Sequence, residues 1–298
     1  MNQARIPFRR YSPNGSPVIL GFHSKLTGKK SGKWELYDKM GQLRETGAYH
    51  EDKKIGLWKF FNQFGGLISS GPFENNQQNG EWKFYKAGKI VSIGCYKDGK
   101  PHGLWQYFDN GLLNYSGEFE RGVQSGEWKW FRSDSSVKKV GFFKNNKMHG
   151  ETKYFLPDGQ LTEIETYQHG LKTGEYRSFN KNGDLQESGW FEAGKKSGEW
   201  IQYHASGRVK SRQFFKNDLK HGEWKQFRED GTLMVVESYC NNQHTGDYRG
   251  FHENGKLREE GFFRANQRSG DWKFYDHEGK LFRTDSYNNG ELIEQLNA

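Results

Sequence analysis

Glycine recurs along this chain at positions 32, 56, 80, 103, 126, 150, 174, 198, 222, 246 and 270, spaced by 24 residues apart from two gaps of 23. A fixed period of this length denotes a stack of like supersecondary units, each unable to bury its apolar face alone. Two residues after the glycine stands Trp34, Trp58, Trp82, Trp105, Trp128, Trp200, Trp224 or Trp272, so eight of the ten tryptophans share one structural position. Thr152, Tyr176 and Tyr248 fill it in the other units. Three residues further on, all eleven units carry an aromatic ring, from Tyr37 and Phe61 to Phe251 and Tyr275. A third aromatic column runs from Tyr49, Phe73 and Tyr96 to Phe263 and Tyr287.

Within a unit the pattern is that of a β-hairpin. A first strand such as Gly-Glu-Trp-Lys-Phe-Tyr is followed by a turn, often Asn110-Gly111, Asp158-Gly159, Asn182-Gly183, Asp230-Gly231 or Asn254-Gly255. Such dipeptides favour type I′ turns, which need positive φ at both central residues. A second strand opens on Leu43, Leu67, Leu161 or an equivalent and ends at the third aromatic column. The two short units lose their residue between Tyr85 and Gly88 and between Phe108 and Gly111, at loop tips, where deletion is tolerated. Side chains alternate along a strand. Counting from the glycine, positions 2 and 4 share an aromatic face, and positions 1 and 3 (Glu81/Lys83, Glu127/Lys129, Glu223/Lys225) share a charged one. The position-5 aromatic falls on the charged face near the turn.

These features predict an all-β protein: an elongated, single-layer antiparallel meander of tandem hairpins, twisted or curled into a trough to cover its rings. Eleven repeats occupy residues 32–290. Residues 1–31 read as a degenerate capping repeat in which Phe8, Tyr11 and Gly15 keep the spacing, and terminal repeats are expected to be atypical. Residues 291–298 read as the other cap, expected as a short helix. Leu, Ile, Val and Phe make up only about one residue in five, so the core must rest on rings rather than aliphatics.

The charge is concentrated at one end. Of the net +8, +6 lies in residues 1–31, which hold Arg5, Arg9, Arg10, Lys25, Lys29 and Lys30 and no acid. Arg5, Arg9, Arg10, Lys29 and Lys30 are therefore the candidates for contact with an anionic surface. The near-neutral remainder makes nucleic acid an improbable partner, because the electrostatic term that dominates such binding is missing. There is no apolar run long enough for a transmembrane helix and no signal-peptide core, which points to a cytoplasmic protein. Two cysteines exclude a disulfide scaffold. The ten histidines do not gather, no Gly-Lys is followed by Ser or Thr, and no carboxylate pair breaks the repeat symmetry. An active site would break it, so neither catalysis nor a cofactor or metal site is expected.

One column varies. Position 4 is Phe60, Phe84, Tyr107, Trp130 and Tyr154 in successive units, then Ser178, Gln202, Gln226 and Gly250. Variation is what partner selectivity needs, so Phe60, Phe84, Tyr107, Trp130 and Tyr154 are the candidate partner-binding residues.

The pattern Gly-x-Trp-x-x-Tyr/Phe, Asn-Gly-x-Leu, Gly-x-Tyr/Phe, Gly-Lys-x-x-Gly at this period resembles the MORN (membrane occupation and recognition nexus) repeat, and more closely the bacterial variant of YwqK-type proteins, often labelled antitoxins. The resemblance covers residues 32–290 continuously and 6–31 weakly. It implies a non-catalytic scaffold that binds a protein along an extended aromatic surface, with toxin neutralisation, as in an immunity protein, as the specific form of that role. The alternative is a peripheral module that binds anionic lipid. Oligomeric state is left open.

Overall fold

The computed structural model describes residues 4–297; residues 1–3 of the expected first cap and Ala298 of the expected tail lie outside the described residues. The described chain consists of strands and turns without helix, in two compact halves that divide at Lys147 and Met148. In the first half, every long strand from Arg5–Tyr11 to Val137–Lys144 pairs antiparallel with its sequence neighbour. In the second, the same holds from Gly150–Phe155 to Glu291–Asn297. Each half is an antiparallel meander of hairpins, and neither closes by pairing its first strand with its last.

At the N-terminus, Arg5–Tyr11 and Pro17–Ser24 form a hairpin in which Phe8 faces Gly21, the register Trp34 keeps with Gly47. At the C-terminus the expected short helix is corrected: Glu291–Asn297 is a strand paired with Leu281–Asn288. Asn289 and Gly290 both adopt positive φ and reverse the chain, so the last residues meet a row of backbone partners that a helix would forgo.

The turns carry a second correction. Asp158, Asn182, Asp230 and Asn254 do not adopt positive φ; only their glycines do. These first turns are longer loops. In the Asn180 loop, the Gly183 N–H donates to the Asn180 carbonyl at 3.0 Å and the Asn180 N–H donates to the Asp184 carbonyl at 2.9 Å. Asn180 Oδ1 accepts from the N–H groups of Asn182 and Asp184, so the side chain holds the loop from inside. Among the first turns named in the sequence, two consecutive positive φ values occur at Asn110-Gly111, in a 23-residue unit, and they recur at Ala87-Gly88 in the other. Loss of one residue thus converts a three-residue loop into a two-residue one. Elsewhere the double-positive pairs lie in the second turns, between units, as at Asn75-Asn76, Asn217-Asp218 and Asn241-Asn242.

Those second turns bind each unit to the one before. The Asn242 N–H donates to the Lys220 carbonyl at 3.0 Å, and Asn242 Oδ1 accepts from the Lys220 N–H at 2.7 Å. Asn76 with Lys54, Asn146 with Gln124, Asp218 with Lys196 and Asn266 with His244 repeat this two-point clamp.

Candidate functional site

Positions 1, 3 and 5 share one face, here the outer face. Lys83 pairs with Glu81 at 3.3 Å and Lys129 with Glu127 at 2.9 Å, both two residues apart on one strand, and the Tyr37 hydroxyl donates to Glu35 at 2.8 Å. The inner face carries the tryptophans. Trp58, Trp200 and Trp272 are fully buried although the sheet is a single layer there. The cover comes from ring geometry. Trp58 lies flat over Gly47, where an added Cβ would come within 2.2 Å of the ring, and its Nε1 donates to the Ala48 carbonyl at 3.2 Å. Trp105 does the same over Gly94 with the Cys95 carbonyl, and Trp200 over Gly189 with the Trp190 carbonyl. This glycine, opposite the tryptophan, is the partner that sequence reasoning did not single out. Its signal was present as the glycine of Gly-x-Tyr/Phe ahead of each unit.

The third-column rings meet the tryptophans edge-on: Tyr49 to Trp58 at 5.1 Å and Phe73 to Trp82 at 5.3 Å. The position-4 rings stack between successive tryptophans. Phe60 lies 6.2 Å from Trp58 and 6.0 Å from Trp82; Phe84 lies 6.1 Å from Trp82 and 5.9 Å from Trp105. Tyr107 lies 6.1 Å from Trp105 and 6.3 Å from Trp128, with Tyr115 stacked on it at 4.4 Å. Trp130 continues the row beside Trp128 and Phe143. Four of the five candidate rings therefore join one aromatic ladder in the first half, each half-buried. Burial pushes the Tyr107 phenol up to about 12. Tyr154 belongs to the second half, where its hydroxyl donates to Glu165 at 2.9 Å.

The inner face of the second half is built differently. The glycine opposite the ring is replaced by Glu165 and Glu237, and the tryptophan that follows is then Tyr176 and Tyr248. Glu165, 3 % exposed, accepts from Tyr154, Tyr167 and Lys172. Burial alone would raise its carboxyl, but these donors outweigh it and hold it below the ordinary range, while burial and the Glu165 charge raise its neighbour Glu163. Glu237 accepts from Gln226 and Tyr239 and lies 3.3 Å from His244. Own cations cover several rings: Lys54 over Trp58 at 3.9 Å, Lys196 over Trp200 at 3.7 Å, Lys220 over Trp224 at 3.9 Å and Arg268 over Trp272 at 4.0 Å.

The candidates for anionic contact are not brought together. Arg5 and Arg9 alternate with Phe8 on their strand and so leave on the outer side, and Arg10 leaves on the inner side. Lys29 lies 3.8 Å from Glu51, and Lys30 is drawn over Trp34 and Tyr49. Among the described residues, no group of three or more His, Cys, Asp or Glu is arranged to hold a metal ion, and no helix is long and apolar enough to cross a membrane.

Residues 78–98, 148–169, 196–217, 220–241, 245–265 and 268–289 match the family model described as MORN repeat variant. These segments share the hairpin register of the units between them, and the chain is a MORN-repeat protein. No curated protein matches the sequence. Among solved structures, the crystal structure of TcdB2-TccC3 is 12 % identical with a TM-score of 0.20, covering 100 % of this chain and 19 % of that one. The crystal structure of TcdB2-TccC3-Cdc42 is 11 % identical with a TM-score of 0.20, covering 100 % and 18 %. The chain thus spans about a fifth of those chains.

Proposed function

We propose that the protein is a non-catalytic scaffold that binds a protein partner along the inner aromatic ladder, with neutralisation of a toxin as the specific form of that role. The observation that carries the reading is the row Phe60, Phe84, Tyr107 and Trp130: large, half-buried rings at equal intervals on a sheet face without a second layer in its half. Interface hot spots favour such rings, because they combine area with few rotatable bonds.

The test is an alanine series at Phe84, Tyr107 and Trp130, with Phe119 as the packing control. Melting temperature and affinity for a partner isolated from the host are measured on the same samples. A binding column loses about 2 kcal/mol or more of affinity per ring. If the three variants instead unfold as readily as Phe119→Ala while the folded fraction binds normally, the ladder is core alone. The neutralising role requires that the isolated partner arrest growth and that co-expression of this chain restore it.

A further inference from the structure

The second half has an aromatic row on its outer face that the ladder does not explain. Trp190 is 52 % exposed, Phe214 42 % and Phe262 41 %. Among the described residues, no ring stacks on any of the three and no cation sits over one, although Arg249 and Lys273 stand beside Phe262. Each faces a carboxylate across its hairpin: Glu175 opposite Trp190, Glu199 opposite Phe214 and Asp247 opposite Phe262. On the other side, the register sets Ser197 against Trp190 and Ser269 against Phe262, so the position-1 acid of the next unit, Glu199 or Asp271, lies two residues further along its strand.

The inner face shows what this constellation accepts. There, a ring and a carboxylate share a cation: Lys196 lies 3.7 Å from the Trp200 ring and 3.6 Å from Glu187, and Arg268 lies 4.0 Å from Trp272 and 3.9 Å from Glu259. On the outer face, the rings and carboxylates are present and the cation over the ring is not. Arg177, Arg212 and Lys225 do pair with Glu175, Glu199 and Glu223, but as exposed pairs that add little stability and leave carboxylate lone pairs free. Around Phe262 even this neutralisation fails. Position 1 is the shorter Asp247, and Asp247, Arg249 and Lys273 have no ion-pair partner among the described residues. These groups line a groove of about 520 Å³ with Phe262, Glu260 and Asp271.

We propose that this row docks an extended segment of a protein partner that carries Lys or Arg at every third residue. The pitch is the argument for that occupant. Equivalent positions in successive units lie two strands apart, about 9 to 10 Å. A polyproline II segment returns to the same side every third residue, after about 9 Å. Its cations then fall on Trp190 and Phe214 in adjacent units, and on Phe262 two units further on. The carboxylate opposite each ring opposes a nucleic acid backbone and gives a cation a neighbour of opposite sign. The proposal rests on the protein-binding reading above but uses the opposite face and the other half.

The experiment measures binding of a fluorescent peptide with Arg at every third position between prolines, to the full chain, by anisotropy. A peptide with the same arginines in one block and a neutral extended oligosaccharide serve as comparisons. The expected result is preferential binding of the spaced peptide, weakened at least about tenfold in Trp190→Ala/Phe214→Ala and in Asp247→Asn, with unchanged melting temperature. Asp247→Asn keeps the side-chain shape, so its effect cannot be assigned to unfolding. Failure of the spaced peptide to bind, equal binding of the blocked peptide, indifference to both variants, or binding of the oligosaccharide alone would each overturn the proposal. The peptide readout uses only outer-face variants and the ladder test only inner-face ones, so failure here and failure of the ladder are told apart.

Discussion

At the scale of single residues, the fold depends on pairs of very unequal size. Gly94 can be no larger, because a Cβ there would sit 2.1 Å from the Trp105 ring. Gly94→Ala must therefore push the indole off the sheet or strain the backbone. The expected loss is about 1–3 kcal/mol, the usual cost of overpacking, read as a lower denaturation midpoint with unchanged slope. The tryptophan column was plain in the sequence because its residue type is rare. The glycine was harder to interpret, since a strand glycine has several common meanings and only the ring lying on it selects one. His244 gives a pH-dependent counterpart. It lies between Tyr239 and Phe263, at 4.9 and 3.9 Å, and burial lowers its pKa below the ordinary 6.5 despite nearby Glu237. The fold thus holds it neutral. Its contribution is present above about pH 6.5 and lost as pH falls through the lowered value, because the unfolded chain then binds the extra proton. Melting curves at pH 7 and pH 5 should show a larger drop for the wild type than for His244→Gln.

At the scale of elements, the hairpins were legible from alternation and the turns only in part. Asn-Gly and Asp-Gly mark both loop types, and loop length decides between them. The dipeptides at 182–183 and 254–255 sit in loops one residue longer than the one at 110–111, so only their glycines take positive φ. The C-terminal strand was missed because Glu291-Leu292-Ile293-Glu294-Gln295-Leu296 has no ring at the diagnostic position and reads equally well as a helical turn. The clamp between units was not legible at all, since it joins residues 22 apart through a backbone N–H. Asn242→Ala removes the acceptor for the Lys220 N–H and places a Cβ-bearing residue without a compensating side-chain bond at φ 68°. A loss of about 1–2 kcal/mol is expected, with faster hydrogen exchange at the Lys220 amide than at Lys196, whose clamp through Asp218 is untouched.

At the scale of the whole chain, the all-β antiparallel meander followed from the period, whereas the character of each face did not. Position 4 told of an aromatic first half, and the carboxylates that replace glycine in the second half went unread. Charge also behaves differently in three dimensions than in sequence. The basic first 31 residues form a cluster along the chain, yet Lys30 is committed to Trp34 and Tyr49 and Lys29 to Glu51. Sedimentation with anionic vesicles at about 0.15 M salt, where screening acts within about 8 Å, should therefore show little retention. Retention that disappears in Arg5→Ala/Arg9→Ala/Arg10→Ala would instead restore the lipid-binding alternative.

The clamps and hairpins share one property with a consequence for synthesis. Within each half, the bonds among the described residues that join a unit to its predecessor reach back about one repeat, as from Asn242 to Lys220 or Asn76 to Lys54. Most all-β proteins must wait for distant strands and fold slowly because long loops have to close first. Here each hairpin can lock onto the preceding one as soon as it leaves the ribosome. The chain should then form in order from its N-terminus during translation, with its rings sheltered as they appear.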